Sequence, residues 1–291
     1  MDLVVKLREM VEENVAGRTA RDETPTISPS SAARGCVLAV AYELLGMPRP
    51  EPDPRSIRAM QVGTDGHRRI VRYFGHYVVG RELFFHDREY GIRGYCDALL
   101  YLPPDFAGDR AGLYALEVKT TGGLEFERIR ASGQPREDHH RQCQIYIWGV
   151  SRYYPLFQVR GGIIFYENRD SLEHLIYVVE PDPTLADYLE RLRRAREAIL
   201  SRGELPLQDR LADDHWAHQY CPFLEVCPPG QEAVRRQRAR GPKVPDRVAA
   251  DILARKLLAR KQAGARRPAS TGPRSLDDLA AALGWTPEDE S

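Results

Sequence analysis

Two short segments hold residue types that do phosphate chemistry. In Gly94-Tyr-Cys-Asp97-Ala-Leu-Leu, an aspartate interrupts a strand-like run that ends at Tyr101. In Ala115-Leu-Glu117-Val-Lys119-Thr-Thr, apolar Leu116 and Val118 alternate with charged Glu117 and Lys119. Side chains two apart on a strand share a face, so Glu117 and Lys119 point together. Residues 103–112, rich in Pro, Asp and Gly, read as the turn between the two segments. Pairing the strands across it brings Asp97 beside Glu117 and Lys119. Two carboxylates and an amine at one place suit a hard divalent cation, with a charged partner left for a phosphate or an attacking water.

Four other segments add functional side chains. Gly63-Thr-Asp-Gly-His67 falls on an expected helix ahead of the first core strand. In His139-His-Arg-Gln142-Cys-Gln-Ile-Tyr146, Gln142 and Tyr146 are four apart and lie on one helical face. Ile145, Ile147 and Trp148 supply the apolar positions of the same helix. Ile27-Ser-Pro-Ser-Ser-Ala-Ala-Arg-Gly-Cys36 offers Ser28 or Ser30 as a helix cap. Trp216-Ala-His218-Gln-Tyr-Cys221-Pro-Phe-Leu-Glu-Val-Cys227 gathers two cysteines and a histidine.

In this order, over roughly residues 27 to 230, the motifs resemble the PD-(D/E)xK nuclease superfamily. Within it they resemble the RecB/AddB-like branch that includes CRISPR-associated iron–sulfur exonucleases and their phage relatives. The resemblance implies an α/β, restriction-endonuclease-like core: a mixed central sheet flanked by helices. It implies that His67, Asp97, Glu117 and the Val118 carbonyl hold Mg²⁺ or Mn²⁺, an imidazole ligand favouring Mn²⁺. Lys119 would position or deprotonate the attacking water and stabilise developing negative charge. Gln142 and Tyr146 would orient Lys119 or contact the DNA backbone. Tyr166 would line the DNA path or simply pack, and Glu82 is a supporting acidic residue.

The resemblance also implies that Cys36, His218, Cys221 and Cys227 bind a 4Fe–4S cluster. His218 stands where the branch has a cysteine, so structural Zn²⁺ is the alternative and His215 a competing ligand. Such a centre would staple the N- and C-terminal segments and turn binding energy into folding energy. Cys96 and Cys143 lie in apolar segments and read as packing residues.

The implied activity is metal-dependent exonucleolytic hydrolysis of DNA, single-stranded or with free ends. Its settings would be recombination, repair, phage replication or CRISPR-associated DNA processing, with a helicase or recombination protein as a partner. The alternatives are a site- or structure-specific endonuclease of the same superfamily and an inactive DNA-binding module. No Walker-type loop is present, so no intrinsic ATPase activity is expected.

The elements that must position these residues follow from patterning. Helices are expected over 2–16 (Leu3, Leu7, Met10, Val11), 31–45, 55–75, 136–150 and 183–202. Strands are expected over 76–86, 89–101, 112–120, 158–167 and 173–180. Residues 1–230 are expected to form the nuclease domain and 231–291 a basic tail. That tail ends in a short amphipathic helix capped by Ser275 and stopped at Gly284. Arg191, Arg193, Arg194 and Arg196 on the last long helix would extend a positive surface. The 291 residues balance 42 Lys and Arg against 42 Asp and Glu, so attraction to DNA must come from local patches. No run is long enough to span a bilayer and no signal-peptide pattern opens the chain. Five cysteines do not suggest a disulfide framework, and a cytoplasmic setting is expected.

Overall fold

The computed structural model describes residues 2–19 and 25–240. The chain divides into Met1–Lys243 and Val244–Ser291. The second unit, with the helix expected after Ser275, lies outside the described residues.

Helix α1 (Leu3–Thr19) forms as expected, with Leu3, Leu7, Met10 and Val11 exposed. The helix expected over 31–45 is two. In α2 (Pro29–Ala33), Ser28 is the cap, accepting from the Ser31 amide at 3.1 Å. Gly35, at φ +77°, then turns the chain, and Cys36 stands at the N-cap of α3 (Val37–Leu44). Only glycine adopts that backbone without strain, which is why one helix becomes two. Helix α4 (Pro54–Tyr73) starts where the Asp53 carboxylate accepts from the amides of Arg55 and Ser56.

Five strands follow: β1 (Val78–Asp87), β2 (Ile92–Leu102), β3 (Gly112–Thr121), β4 (Val159–Asn168) and β5 (His174–Val179). They line up in sequence order, and only β3 and β4 run parallel. The turn between β2 and β3 contains one turn of helix, α5 (Pro104–Ala107). The parallel crossover is made by α6 (Gly123–Ser132) and α7 (Glu137–Tyr153). Patterning did not give α6: Gly122-Gly123 reads as a break, and its buried face is only Phe126 and Ile129. Helix α8 (Leu185–Arg202) completes the layer on the α7 side.

Two apolar layers sandwich the sheet. On one face α7 packs with α2, α3 and α8 around Phe85, Ala115, Ile145, Ile164 and Leu192. On the other, Ile70 and Val71 of α4 cover Ala98, Leu116, Val118 and Phe165. The result is an α/β fold, a mixed five-stranded sheet flanked by helices, as a restriction-endonuclease-like core requires. No helix among the described residues is long and apolar enough to cross a membrane.

A third apolar cluster joins the two ends of the unit. Leu38, Ala39 and Tyr42 of α3 pack on Phe223 and Cys227, with Cys36 and Cys221 beside them. Residues 228–239 form α9 (Pro228–Ala239), whose Ala233 and Val234 are buried. Arg235, Arg236 and Arg238, expected in a tail, therefore stand on a packed helix. Arg235 and Arg236 pair with Glu232, and Arg236 also with Asp213. The arginines of α8 are similarly engaged: Arg193 and Arg194 on Glu190, Arg196 on the Pro25 carbonyl.

Candidate active site

The site lies where β2 and β3 separate. Their pairing runs from Leu102↔Gly112 to Ala98↔Leu116 and stops there. Beyond that point the Val118 amide faces β2 and finds the Asp97 carboxylate instead of a strand, donating to Oδ2 at 2.8 Å. Asp97 thus satisfies a backbone donor that the fork leaves open. The same Oδ2 lies 3.4 Å from His67 Nδ1 on α4. Val118 meets Asp97 through its amide, and in a strand the carbonyl of the same residue leaves on that same side.

Glu117 and Lys119 share the face of β3 that α7 covers, and they form an ion pair. Gln142 of α7 ties the pair down. Its Oε1 accepts from Lys119 Nζ at 3.1 Å, while its Nε2 donates to Glu117 Oε2 at 3.2 Å and to the Tyr146 hydroxyl at 2.9 Å. Glu117 is fully buried, and its other oxygen meets only the Lys119 ammonium. Burial pushes the Glu117 carboxyl up to about 7, against the pull of Lys119. Burial works against the Lys119 ammonium, but the Glu117 carboxylate together with Asp97 and Asp138 outweighs it and raises the Lys119 pKa.

Tyr166 stands inside the protein. It is fully buried, and its hydroxyl accepts from the Arg136 amide at 3.2 Å and meets His139 Nδ1 at 2.9 Å. Burial pulls the His139 imidazole down to about 3. Tyr146 is buried against Phe85, its hydroxyl turned to Gln142. Cys96 and Cys143 are fully buried, and their thiols are pushed well up by burial.

Two features fix α4 over the fork, and neither was singled out from sequence. A Cβ on Gly66 would come within 2.8 Å of Thr120 Cγ2, whereas at Gly63 the nearest atom is 3.9 Å away. The close-approach glycine is therefore Gly66, next to His67. Arg69 donates to both oxygens of Glu167, a buried carboxylate on β4. The signal for this pair was present as a charged residue in an apolar strand.

A groove of about 600 Å³ opens onto His67 and Asp97. Arg68, Arg72 and Arg81 line it together with Glu82. Glu82 lies on β1 between Arg81, which pairs with Ala98, and Leu83, which pairs with Cys96, and so stands across from Asp97. It is exposed and holds φ +47°, a conformation that strains a residue with a side chain. The three arginines surround His67 only once α4 and β1 are packed, so no spacing in the sequence marks them.

Among the described residues, no three or more His, Cys, Asp or Glu side chains converge as a metal site. His67 and Asp97 face the groove, whereas Glu117 is turned toward Lys119 and Gln142. Cys36, His218, Cys221 and Cys227 line one small cavity of about 20 Å³ without closing on a common point. His218 Nε2 is held by the Leu211 and Ala212 carbonyls, and Cys227 Sγ accepts from the Gly230 amide. His215 turns elsewhere, Nδ1 accepting from the Ala217 amide. Packing of Tyr42 on Phe223 joins the same two segments.

No family model matches the chain, and no curated protein matches it. Solved structures do. SSO0001 is 20% identical, with a TM-score of 0.42, over 78% of this chain and 97% of that one. An alkaline exonuclease (LHK-Exo) from Laribacter hongkongensis is 16% identical, with a TM-score of 0.44, over 61% of this chain and 89% of its own. LHK-Exo in complex with dAMP gives 15% and 0.45 over the same shares. At such identities and scores the chemistry rests on the residues of this chain.

Proposed function

We propose that the chain is a divalent-metal-dependent nuclease that hydrolyses DNA phosphodiester bonds as an exonuclease, on single strands or free ends. The observation that carries this reading is the meeting of Asp97, Glu117 and Lys119 at the β2–β3 fork, with His67 over it. The donor set fits a hard cation. Asp97 and Glu117 are carboxylates at the fork, and the buried Glu117 oxygen turned to Lys119 has no other partner. His67, Asp97 and Glu117, with the Val118 carbonyl, would hold Mg²⁺ or Mn²⁺. When bound, the cation supplies Lewis acidity toward the phosphate and the attacking water.

The chain's own groups do the rest. Lys119 Nζ, held by Gln142, orients the attacking water and offsets the charge that builds on the phosphate oxygens. Glu117 must lose its proton to ligate, so metal binding strengthens as pH rises toward its pKa. Arg68, Arg72 and Arg81 steer the phosphate backbone into the groove.

Cys36, His218, Cys221 and Cys227 are proposed to hold the second centre, a 4Fe–4S cluster or Zn²⁺. Three thiols and an imidazole that line one cavity are the right donors. A ring nitrogen of His218 already bonded to backbone carbonyls leaves the other for a metal, as ligating histidines commonly do.

The test is degradation of end-labelled single-stranded DNA with Mg²⁺ or Mn²⁺, beside closed circular DNA and the Lys119→Ala protein. Loss of linear DNA with wild type alone, circles spared, is the expected result. Cutting of circles would move the reading to an endonuclease. No cutting by folded, metal-replete protein would leave a binding module.

A further inference from the structure

A second cleft, about 350 Å³ in volume, opens beside the candidate active site. One wall is the start of α7, with Arg136, Asp138 and Arg141; the other carries Trp216 and Tyr220. Asp138 is one helical turn, about 6 Å along the axis, from Gln142, and its charge is felt at Lys119. The cleft therefore adjoins the reacting end of β3.

Two of its aromatic side chains stand partly in water. Trp216 is 49% exposed and Tyr220 76% exposed, their ring centroids 6.0 Å apart. Large rings left in water forgo the gain that burial would bring. They are held in place nonetheless. His218, in the same turn, is buried and anchored to the Leu211 and Ala212 carbonyls. Trp216 is already used as a stacking surface: the Arg136 guanidinium lies 4.8 Å from its ring, and His215 stacks on it at 5.6 Å.

The charges around the rings favour an anion. Glu137 is paired with Arg141, and Asp138 with Arg136. Arg34, exposed at the rim, has no carboxylate partner among the described residues. One guanidinium is thus left over beside two exposed rings, with both carboxylates neutralised.

We propose that this cleft is a subsite for unpaired bases of a DNA strand, stacked on Trp216 and Tyr220, with a backbone phosphate on Arg34. The assignment rests on the nuclease reading and adds strand preference to it. Aromatic platforms accept any base with a free face, which single strands offer and paired duplex does not.

The test is fluorescence anisotropy of the full chain with a labelled oligothymidylate and, separately, a blunt duplex, both in EDTA to prevent cleavage. Trp216→Ala and Tyr220→Ala should each weaken single-strand binding about 5- to 100-fold and leave duplex binding unchanged. Trp216→Phe, which keeps a ring, should stay near wild type. Arg34→Ala should lower the slope of log affinity against log salt by about 0.7. Wild-type affinity in both alanine variants would overturn the subsite, as would equal losses on single strand and duplex. If Trp216→Ala melts early, the Trp216→Phe and Tyr220→Ala proteins decide, and loss of binding in the former alone counts against stacking. If the wild type neither binds nor cuts DNA, the nuclease reading fails instead. If it does both while the alanine variants bind as it does, only the subsite fails.

Discussion

Glu117 has no water to share its charge with, and that gives it a measurable signature. Its folded pKa of about 7 lies above the usual carboxylate value of 4.5, so the folded chain keeps a proton that the unfolded chain releases. Between those values the contribution of Glu117 to stability falls as pH rises. In metal-free buffer, Glu117→Gln should therefore melt progressively higher than wild type from pH 4.5 to 7, and Mn²⁺ should narrow the gap by stabilising wild type alone. Parallel melting curves would remove Glu117 from that role. His139 has the opposite sign. Its folded pKa of about 3 lies below the free value of 6.5, so it stabilises the neutral protein, and that contribution is lost as pH falls from 6.5 toward 3. A His139→Gln protein should show a flatter melting profile over that acid range. For activity, Lys119→Ala and Glu117→Ala should each cost about 100-fold or more in DNA cleavage, with secondary structure by circular dichroism intact.

At the level of elements, α4 has to lie close enough to β3 for His67 to reach Asp97. Gly66→Ala would put a methyl group 2.8 Å from Thr120 Cγ2, in a layer that has no room for it. It should cost about 1–3 kcal/mol in chemical denaturation and lower cleavage further. Thr120→Ser, which deletes that methyl, should restore much of both. Gly63→Ala meets only ordinary contacts and should be neutral or slightly stabilising, since alanine favours helix. A reversed order of the two would show that Gly63 of the sequence motif, and not Gly66, sets the approach. The strands and long helices were legible in the sequence because each carries an uninterrupted period. The α2–α3 break and α6 were not, since one depends on the backbone angle at Gly35 and the other buries only Phe126 and Ile129.

For the whole molecule, the join between residues 36–47 and 221–227 closes a long loop of chain around the sheet. Cys221→Ala should release the second metal, read as lost iron or zinc by elemental analysis, and lower the melting temperature by several degrees. Normal metal content and an unchanged melt would mean that Tyr42 and Phe223 make the join unaided. Iron with a visible absorption band, or zinc without one, settles which centre it is. His218→Ala with full metal content would exclude His218 as a ligand. With a balanced overall charge, the DNA binding proposed above would rest on the groove arginines and Arg34, and it should then weaken as salt rises.

The sequence by itself determined the order of the five strands and the long helices, the sharing of one face by Glu117 and Lys119, and the pairing of Gln142 with Tyr146 on one side of a helix. These are consequences of local geometry, a period of two or of 3.6 residues. Tertiary structure alone decided that Asp97 fills the fork by accepting from Val118, that Gln142 holds Glu117 and Lys119 together, and that Tyr166 is internal. It also decided that Arg68, Arg72 and Arg81 share a groove and that Trp216 and Tyr220 face a second cleft. Those relations join residues far apart in the chain. They exist only after strand pairing and helix packing have fixed which groups are neighbours and which are cut off from water.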